Sequence, residues 1–409
     1  MSIKDILKEQ LEKIKLNKEE FGKLEKETEE FAGKLKKNIK KKRIKAEVFL
    51  GGSLAKKTIL KKDKYDIDIF IRFDKKYKDE EISRLLAGIV KGVRIHGSRD
   101  YFLARREKLV FEIIPVIKIN NAKEARNVTD LSYFHVSYVK NKIKKKLGLA
   151  DEIMLAKHFS YCQKVYGAES YIKGFSGYAL ELLVIHYGSF LNFIKAVCKA
   201  KEKIVLDPGK HYKNKQDILL NLNEAKLSSP VVFVDPTFKE RNALAALSQE
   251  TFNKFKLVCR NFLSKPSSRF FEEQKINPKD YNLILKAETN KQEGDIAGSK
   301  LLKFSKYFSQ EMEKYFSISK KDFEYDNKKS AYLFLNVKAR KELILTGPPI
   351  TALENVVAFK KKHKNVFIKQ GRVFAKEKVS IGIREFVNNF KKENKKRMKS
   401  MGIIGLGLG

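Results

Sequence analysis

The sequence predicts an α+β protein of several domains. Three observations carry this expectation. Between Ala46 and Ile117, short apolar runs alternate with a helical pattern, which suits a small mixed sheet backed by helices. The segments on either side show helical periodicity instead. The chain has 409 residues, 43% of them hydrophobic with 29 Phe and 16 Tyr, which fills two or three cores better than one.

The elements follow in order. Residues 3–43 read as helices, because Phe21, Leu24, Phe31, Leu35 and Ile39 recur near helical spacing. The run from Lys36 to Arg43 holds six basic residues around Asn38 and Ile39 and reads as a solvated helix end. A strand at Ala46–Leu50 meets Gly51-Gly52-Ser53. A second strand spans Tyr65–Phe73 and a third Leu109–Ile117, with a helix at Glu80–Val90 between them. Pro115 is expected to end the ladder-forming part of its strand. From Asp151 to Val197 the pattern is helical, broken at Gly174-Phe175-Ser176-Gly177, where a tight turn between packed helices is expected. Asp207–Pro236 carries Pro208, Pro230 and Pro236 and reads as loop-rich. A helix is expected over Ala243–Leu263, then a boundary flanked by Pro266 and Pro278. Short strands at Tyr281–Leu285 and Ala331–Val337 mix with helices, and a basic helix runs from Val379 to Lys399. The tail Met401–Gly409 is expected to be disordered. Three domains result, 1–145, 146–265 and 266–400, followed by a tail at 401–409.

The charge narrows the partner. There are 87 basic and 49 acidic residues, a net charge of +38, which favours a polyanion. A lysine-rich composition without a binding purpose is the plainer alternative. Cys162, Cys198 and Cys259 lie far apart and in odd number. They offer neither a zinc cluster nor a disulfide scaffold, and they fit a reducing compartment. The N-terminus lacks a signal-peptide core, and no apolar run approaches 18 residues. A cytoplasmic protein with no membrane partner is the expectation.

The chemistry concentrates in three places. Asp66 and Asp68 are two apart on a strand, so both carboxylates leave one face while Ile67, Ile69 and Ile71 take the other. Two like charges side by side call for a cation, and hard oxygen ligands favour Mg²⁺. Glu112 is an isolated acid between Phe111 and Ile113, and it joins the pair if its strand lies alongside. Three carboxylates on adjacent strands are expected to form a two-metal site for nucleotidyl transfer. Gly51-Gly52-Ser53 reads as a turn before a helix, where glycine permits close backbone approach to phosphate. Ser53 and Lys56 would touch the phosphate tail, with Thr58 close by. A lone pair of aspartates is weak; their combination with the glycine turn and the later acid is specific.

Several stretches, taken together, resemble a known family. They are GGSLAKKTIL from Gly51, DIDIF from Asp66, DLSYFH at 130–135, Lys157, Tyr166-Gly167-Ala168-Glu169, GFSGYALELLVIHYGSF at 174–190, Asp235-Pro236 with Arg241-Asn242, and Gly347-Pro348-Pro349. The sequence is similar to archaeal-type (class I) CCA-adding enzymes, tRNA nucleotidyltransferases of the polymerase-beta-like superfamily. The resemblance runs from the N-terminal helices to beyond Gly371. It implies a polymerase-beta-like head, a helical central region and C-terminal α/β domains that grip the acceptor arm of tRNA. It implies addition of C, C and A to the tRNA 3′ end from CTP and ATP, without a template, with Mg²⁺ and with release of pyrophosphate.

By the same resemblance Gly52, Ser53 and Lys56 meet the incoming triphosphate. Ser132 stands where a threonine near the nucleotide is usual. His135 matches a phosphate- or sugar-contacting histidine, and Lys157 and Tyr166 match further triphosphate ligands. Arg241 matches an arginine that reads the incoming base. The chain departs from the pattern at Lys56, where arginine is usual, at Glu112, where aspartate is usual, and at Ser98-Arg99-Asp100, where a Glu-His pair is usual. Two other functions remain open to the residues. One is a different template-independent RNA nucleotidyltransferase, such as a poly(A) polymerase or oligoadenylate synthetase. The other is an RNA-binding protein without catalysis. A homodimer is neither required nor excluded.

Overall fold

The computed structural model describes residues 2–97, 99–290, 293–378 and 381–409. Ser98, at the start of one departing stretch, and Val379, the first residue of the expected basic helix, lie outside them. The chain divides into two units, Met1–Ala168 with Ile172–Gln274, and Glu169–Tyr171 with Lys275–Gly409.

The first unit opens with α1 (Ile3–Ile14) and α2 (Lys18–Lys41). Each begins with a reciprocal cap, Ser2 with Asp5 and Asn17 with Glu20, which satisfies amides that the first turn leaves unpaired. Then come β1 (Ala46–Leu50), α3 (Gly52–Ala55), β2 (Tyr65–Phe73), α4 (Asp79–Ala87), β3 (Val93–Ile95), β4 (Tyr101–Arg106) and β5 (Leu109–Ile117). The sheet order is β1-β2-β5-β4-β3. β1 runs antiparallel to β2, whereas β2 and β5 are parallel and in register from Tyr65↔Leu109 to Phe73↔Ile117. Pro115 does not end its strand as expected. β4 pairs with β5 only as far as Ile113, so a residue without an N–H is tolerated beyond that point.

Alternation sorts the sheet into two faces. Ile67, Ile69, Ile71, Phe111 and Ile113 share a buried core with Phe31, Leu35 and Ile39 of α2. The Phe31 ring stacks on Phe111 at 4.0 Å. Helix α2 therefore covers one face, and Asp66, Asp68 and Glu112 point from the other.

The unit continues through α5 (Ser132–Lys145), α6 (Leu149–Cys162), α7 (Gly177–Tyr187), α8 (Phe190–Lys199), β6 (Ile204–Leu206), α9 (Lys215–Asn221), α10 (Glu224–Leu227), β7 (Val231–Asp235), β8 (Phe238–Asn242) and α11 (Gln249–Ser264). A second core joins α6, α7, α8 and α11 with α1, and is rich in phenylalanine: Phe159, Phe190, Phe193, Phe255 and Phe262 are fully buried. The stretch expected to be loop-rich holds β7, whose five residues are all buried. Its flanking prolines and its short length concealed it. The turn at Gly174 is tighter than periodicity could reveal. Phe175 N donates to Val165 O and Gly167 N to Phe175 O, both at 2.8 Å. A Cβ on Gly174 would collide with the Val165 carbonyl.

The second unit holds β9 (Leu283–Thr289), α12 (Gly294–Glu313), β10 (Phe316–Tyr325), β11 (Ser330–Ala339), β12 (Glu342–Pro349), α13 (Leu353–Lys362), β13 (Asn365–Lys369), β14 (Arg372–Lys378), α14 (Ile383–Glu393), α15 (Lys395–Ser400) and β15 (Ile403–Leu408). Two antiparallel sheets result, β10-β11-β9-β15 and β12-β14-β13. Phe304 and Phe308 of α12 pack on Phe386 and Phe390 of α14 over the first sheet. The tail expected to be disordered is β15, which pairs with β9 from Ile403↔Thr289 to Leu408↔Leu285. The edge of β9 supplies the partner, and Ile403 is buried by it. No single helix among the described residues is long and apolar enough to cross a membrane.

Candidate active site

The parallel register of β2 and β5 sets Asp68 opposite Glu112, with Asp66 one pleat away on the same face. Gly51 N donates to Asp68 O at 2.9 Å and so docks the start of α3 on β2. Gly52 has φ of +62°, and a Cβ there would fall within the Asp68 carboxylate. Only glycine gives both the backbone angle and the room. Burial raises the Asp68 carboxyl; Lys56 and Lys157 offset part of this and Asp66 adds to it. Burial, with Asp68 and Asp66 beside it, pushes Glu112 up to about 7. The three side chains share a face but do not converge: among the described residues no three His, Cys, Asp or Glu groups form a metal-binding cluster. Asp66 is exposed and Asp68 turns onto Gly52. The donor set still fits a hard divalent ion. It is all oxygen, it lies on neighbouring strands, and a bound cation would offset the upward shifts of Asp68 and Glu112.

Behind this face lies an ion cluster that sequence reasoning missed. Glu181 of α7 is fully buried. Its carboxylate accepts from Lys56 Nζ at 2.8 Å and from Lys157 Nζ at 2.7 Å. Lys157 Nζ also donates to Thr58 Oγ1 at 3.0 Å. Burial alone would raise Glu181, but the Lys157 and Lys56 ammoniums hold it below the usual carboxylate range. Two lysines predicted as triphosphate ligands therefore share one carboxylate. The available signal was a single acid inside the apolar run from Tyr178 to Tyr187. Gly177 borders the same cluster: a Cβ there would press on the Tyr166 hydroxyl, 2.8 Å away, and reach the Lys157 side chain at 3.8 Å. That leaves Tyr166 and Lys157 side by side.

A second hub is Asp235, also fully buried, at the end of β7. Arg241 Nη1 donates to its Oδ2 at 2.6 Å and Tyr178 Oη to its Oδ1 at 3.1 Å. Thr237 donates to Oδ1 through both its amide, at 2.8 Å, and its hydroxyl, at 2.7 Å. His135 Nε2 lies 3.1 Å from Oδ2, in ion-pair range but off the line of a hydrogen bond. The His135 ring stacks on Tyr178 at 4.1 Å, and the Arg241 guanidinium lies 5.6 Å from the same ring. Burial would raise Asp235, yet His135, Arg241 and the Thr237 amide hold it well below the usual range. Burial lowers His135, with the Arg241 and Lys56 charges acting in the same direction. Lys56 is thus electrostatically linked to both hubs and to Asp68.

The start of α5 is fixed from below. The Asp130 carboxylate accepts from the amides of Ile117, Asn127 and Arg126, at 2.8, 2.9 and 3.0 Å. Arg99 closes the arrangement by bonding Asp130 and Asp79. The departing Arg99 is therefore a buried structural arginine. The aspartate of the DLSYFH stretch is an anchor between β5 and α5, and it sets the direction of Ser132 and, one turn later, His135. Ser132 is half-buried at the first position of the helix. Of the predicted residues, Gly52, Ser53, Lys56, Asp68, Glu112, Lys157, Tyr166, His135 and Arg241 fall around these linked clusters. Asp66 stands at the exposed margin.

Comparison with known proteins identifies the family. Residues 151–272 match the family described as tRNA nucleotidyltransferase, second domain, and residues 1–132 match the Second Messenger Oligonucleotide or Dinucleotide Synthetase domain. A CCA-adding enzyme of Nanoarchaeum equitans is 36% identical over 340 residues, covering 80% of this chain and 83% of that protein. A CCA-adding enzyme of Methanocaldococcus jannaschii is 31% identical over 400 residues, covering 92% and 87%. In fold, the chain is similar to a cytoplasmic RNA terminal U-transferase, with a TM-score of 0.52 at 15% identity over 68% of this chain and 99% of that one. The Cid1 poly(U) polymerase gives 0.52 at 16% over 67% and 100%. The chain belongs to the archaeal-type CCA-adding enzymes, the tRNA nucleotidyltransferases of the polymerase-beta-like superfamily.

Proposed function

We propose that the face carrying Asp66, Asp68 and Glu112 is where this template-independent CCA-adding enzyme extends the tRNA 3′ end. The observation that carries the reading is the placement of Asp68 opposite Glu112 on parallel strands, next to a glycine turn and two lysines that share a buried glutamate. The tRNA 3′ hydroxyl attacks the α-phosphorus of CTP or ATP. A new P–O bond forms, the bond to the β-phosphate oxygen breaks, and pyrophosphate leaves. Asp66, Asp68 and Glu112 would hold Mg²⁺, which when bound supplies charge neutralisation at the phosphates and a more acidic hydroxyl. Glu112 takes the proton of the attacking hydroxyl.

The remaining roles follow the charges. Gly52 and Ser53 bring backbone close to the phosphate tail, and Lys56, Lys157 and Tyr166 bind its oxygens. Ser132 and His135 border the sugar and phosphate. Arg241, oriented by Asp235 and packed against Tyr178, presents its remaining donors to the base edge. The two separate cores of the first unit support a functional division near residue 145. The lysine-rich region beyond residue 265 is assigned to the tRNA acceptor arm, recognised by shape and phosphates. Asp68→Asn tests the reading. Addition to a tRNA transcript should fall by at least 1,000-fold while tRNA affinity stays within threefold. Survival of addition would remove Asp68 from the chemistry.

A further inference from the structure

The basic end of α2 has no part in the reading above. Eight basic side chains stand between Lys34 and Lys45, with no acidic residue among them. All eight are exposed. Among the described residues none of them forms an ion pair; the nearest acid in sequence beyond the run, Glu47, is already taken by Arg72 and Lys118. The arrangement is built rather than loose. Leu24, Thr28, Phe31, Ala32, Leu35 and Ile39 face the core, so Lys36, Lys37, Lys40 and Lys41 fall on the outer surface. Asn38 Nδ2 donates to Ile89 O at 2.9 Å and ties the helix end to the loop after α4. Between α2 and β1 runs an open groove bordered by Lys36, Ile39, Lys40, Ile44 and Val48, with Glu47 on its wall. A helix C-terminus favours cations in its last turn, which accounts for Lys40 and Lys41. It does not account for Lys34–Lys37 or for the basic chain beyond the helix.

We infer that this end of the head is an additional RNA-binding surface, which holds phosphates of an RNA segment other than the 3′ end being extended. Two features favour RNA. The exposed residues of the run are basic or, at Asn38, polar, whereas a lipid-binding helix needs an exposed apolar face. Lysines at i and i+4, such as Lys36 and Lys40, form a row of charge along the helix, and a polynucleotide backbone is a complementary row. Position separates this surface from the active site. Helix α2 packs on the sheet face opposite the three carboxylates. Its end adjoins Ala46, which pairs with Phe73, five residues along β2 from Asp68 and so roughly 17 Å away along the strand. The surface does not rest on the assignment of the carboxylates.

The test uses the full chain with K36Q/K37Q/K40Q/K41Q, and a control that removes equal charge outside α2, K4Q/K8Q/K195Q/K199Q. tRNA affinity is measured from 50 to 300 mM KCl, CTP incorporation at saturating tRNA, and binding to anionic phospholipid vesicles. The α2 variant should bind tRNA about tenfold more weakly near 100 mM salt, with a log–log salt slope lower by about 3. Its incorporation rate at saturation should stay within twofold, and the control should keep the parental slope. An unchanged slope in the α2 variant, or an equal fall in the control, overturns the proposal. So does a loss confined to vesicle binding, which would assign the surface to lipid. Failure of the active-site reading shows in incorporation and leaves the slope untouched.

Discussion

Replacing Glu181 by glutamine tests the buried cluster directly. The change keeps the volume of the side chain and removes its charge. Lys56 and Lys157 both hydrogen-bond the same carboxylate, at 2.8 and 2.7 Å. Without it, two ammoniums face one another with only the Thr58 hydroxyl and a neutral amide as partners. At about 5 Å and an effective dielectric near 20, their repulsion is roughly 3 kcal/mol. Removing one member of a buried ion pair generally costs about 3–5 kcal/mol. For a unit of this size that lowers the melting temperature by roughly 5–9 °C. The assay is thermal and denaturant unfolding of the parent and of E181Q, with and without ATP. If the lysines receive the triphosphate, ATP supplies the missing negative charge and stabilises E181Q more than the parent. Stability within 1 kcal/mol of the parent would refute the buried-cluster argument. Equal stabilisation of both proteins by ATP would separate the cluster from the phosphate site.

Three further outcomes follow from the geometry. Between its ordinary value of 4.5 and its raised value of about 7, folded Glu112 keeps a proton that the unfolded chain has lost. Stability of the metal-free protein therefore falls as pH rises through this window and stays lower above it, by up to about 3 kcal/mol. Glu112→Gln should flatten that fall in urea titrations at pH 5 and pH 8; an identical fall in both proteins contradicts it. Asp235→Asn loosens Arg241 and should reduce discrimination between CTP and ATP at least tenfold, measured as the ratio of kcat/KM values, with tRNA affinity unchanged. Unaltered discrimination would detach Arg241 from base choice. Gly52→Ala sets a side chain against the Asp68 carboxylate at a positive φ, a backbone penalty of about 1–2 kcal/mol. Addition should drop more than 100-fold in a protein that still folds by circular dichroism, and parental activity would disprove the close approach.

Three of the five strands of the sheet that carries the carboxylates were readable in the sequence because their signals are local; the short β3 and β4 were not foreseen. Ala46–Leu50, Tyr65–Phe73 and Leu109–Ile117 are apolar runs with breaks at both ends, and each is found over those residues. The shared face of Asp66 and Asp68 needs only a two-residue period. What joins them to the rest is not local. Glu181 lies 125 residues from Lys56, and nothing in the periodicity of α7 names its partners. Asp235 gathers groups from β8, α5 and α7; the resemblance set it beside Arg241, but nothing in the sequence joins it to His135 or Tyr178. The tail failed as a reading because a glycine-rich strand carries almost no propensity of its own; the free edge of β9 holds it. The antiparallel sheets of the second unit were only partly seen, since β10 alternates weakly and seven of its ten residues are charged or hydroxylated.

The most direct measurement is stepwise nucleotide addition. The purified protein is incubated with Mg²⁺ and tRNA transcripts that end at the discriminator base, at C or at CC, with each nucleotide alone and with CTP plus ATP. Two additions from CTP, one from ATP and then arrest, all abolished in Asp68→Asn, are the predicted result. Long tails from ATP alone, or equal addition by Asp68→Asn, would contradict the account.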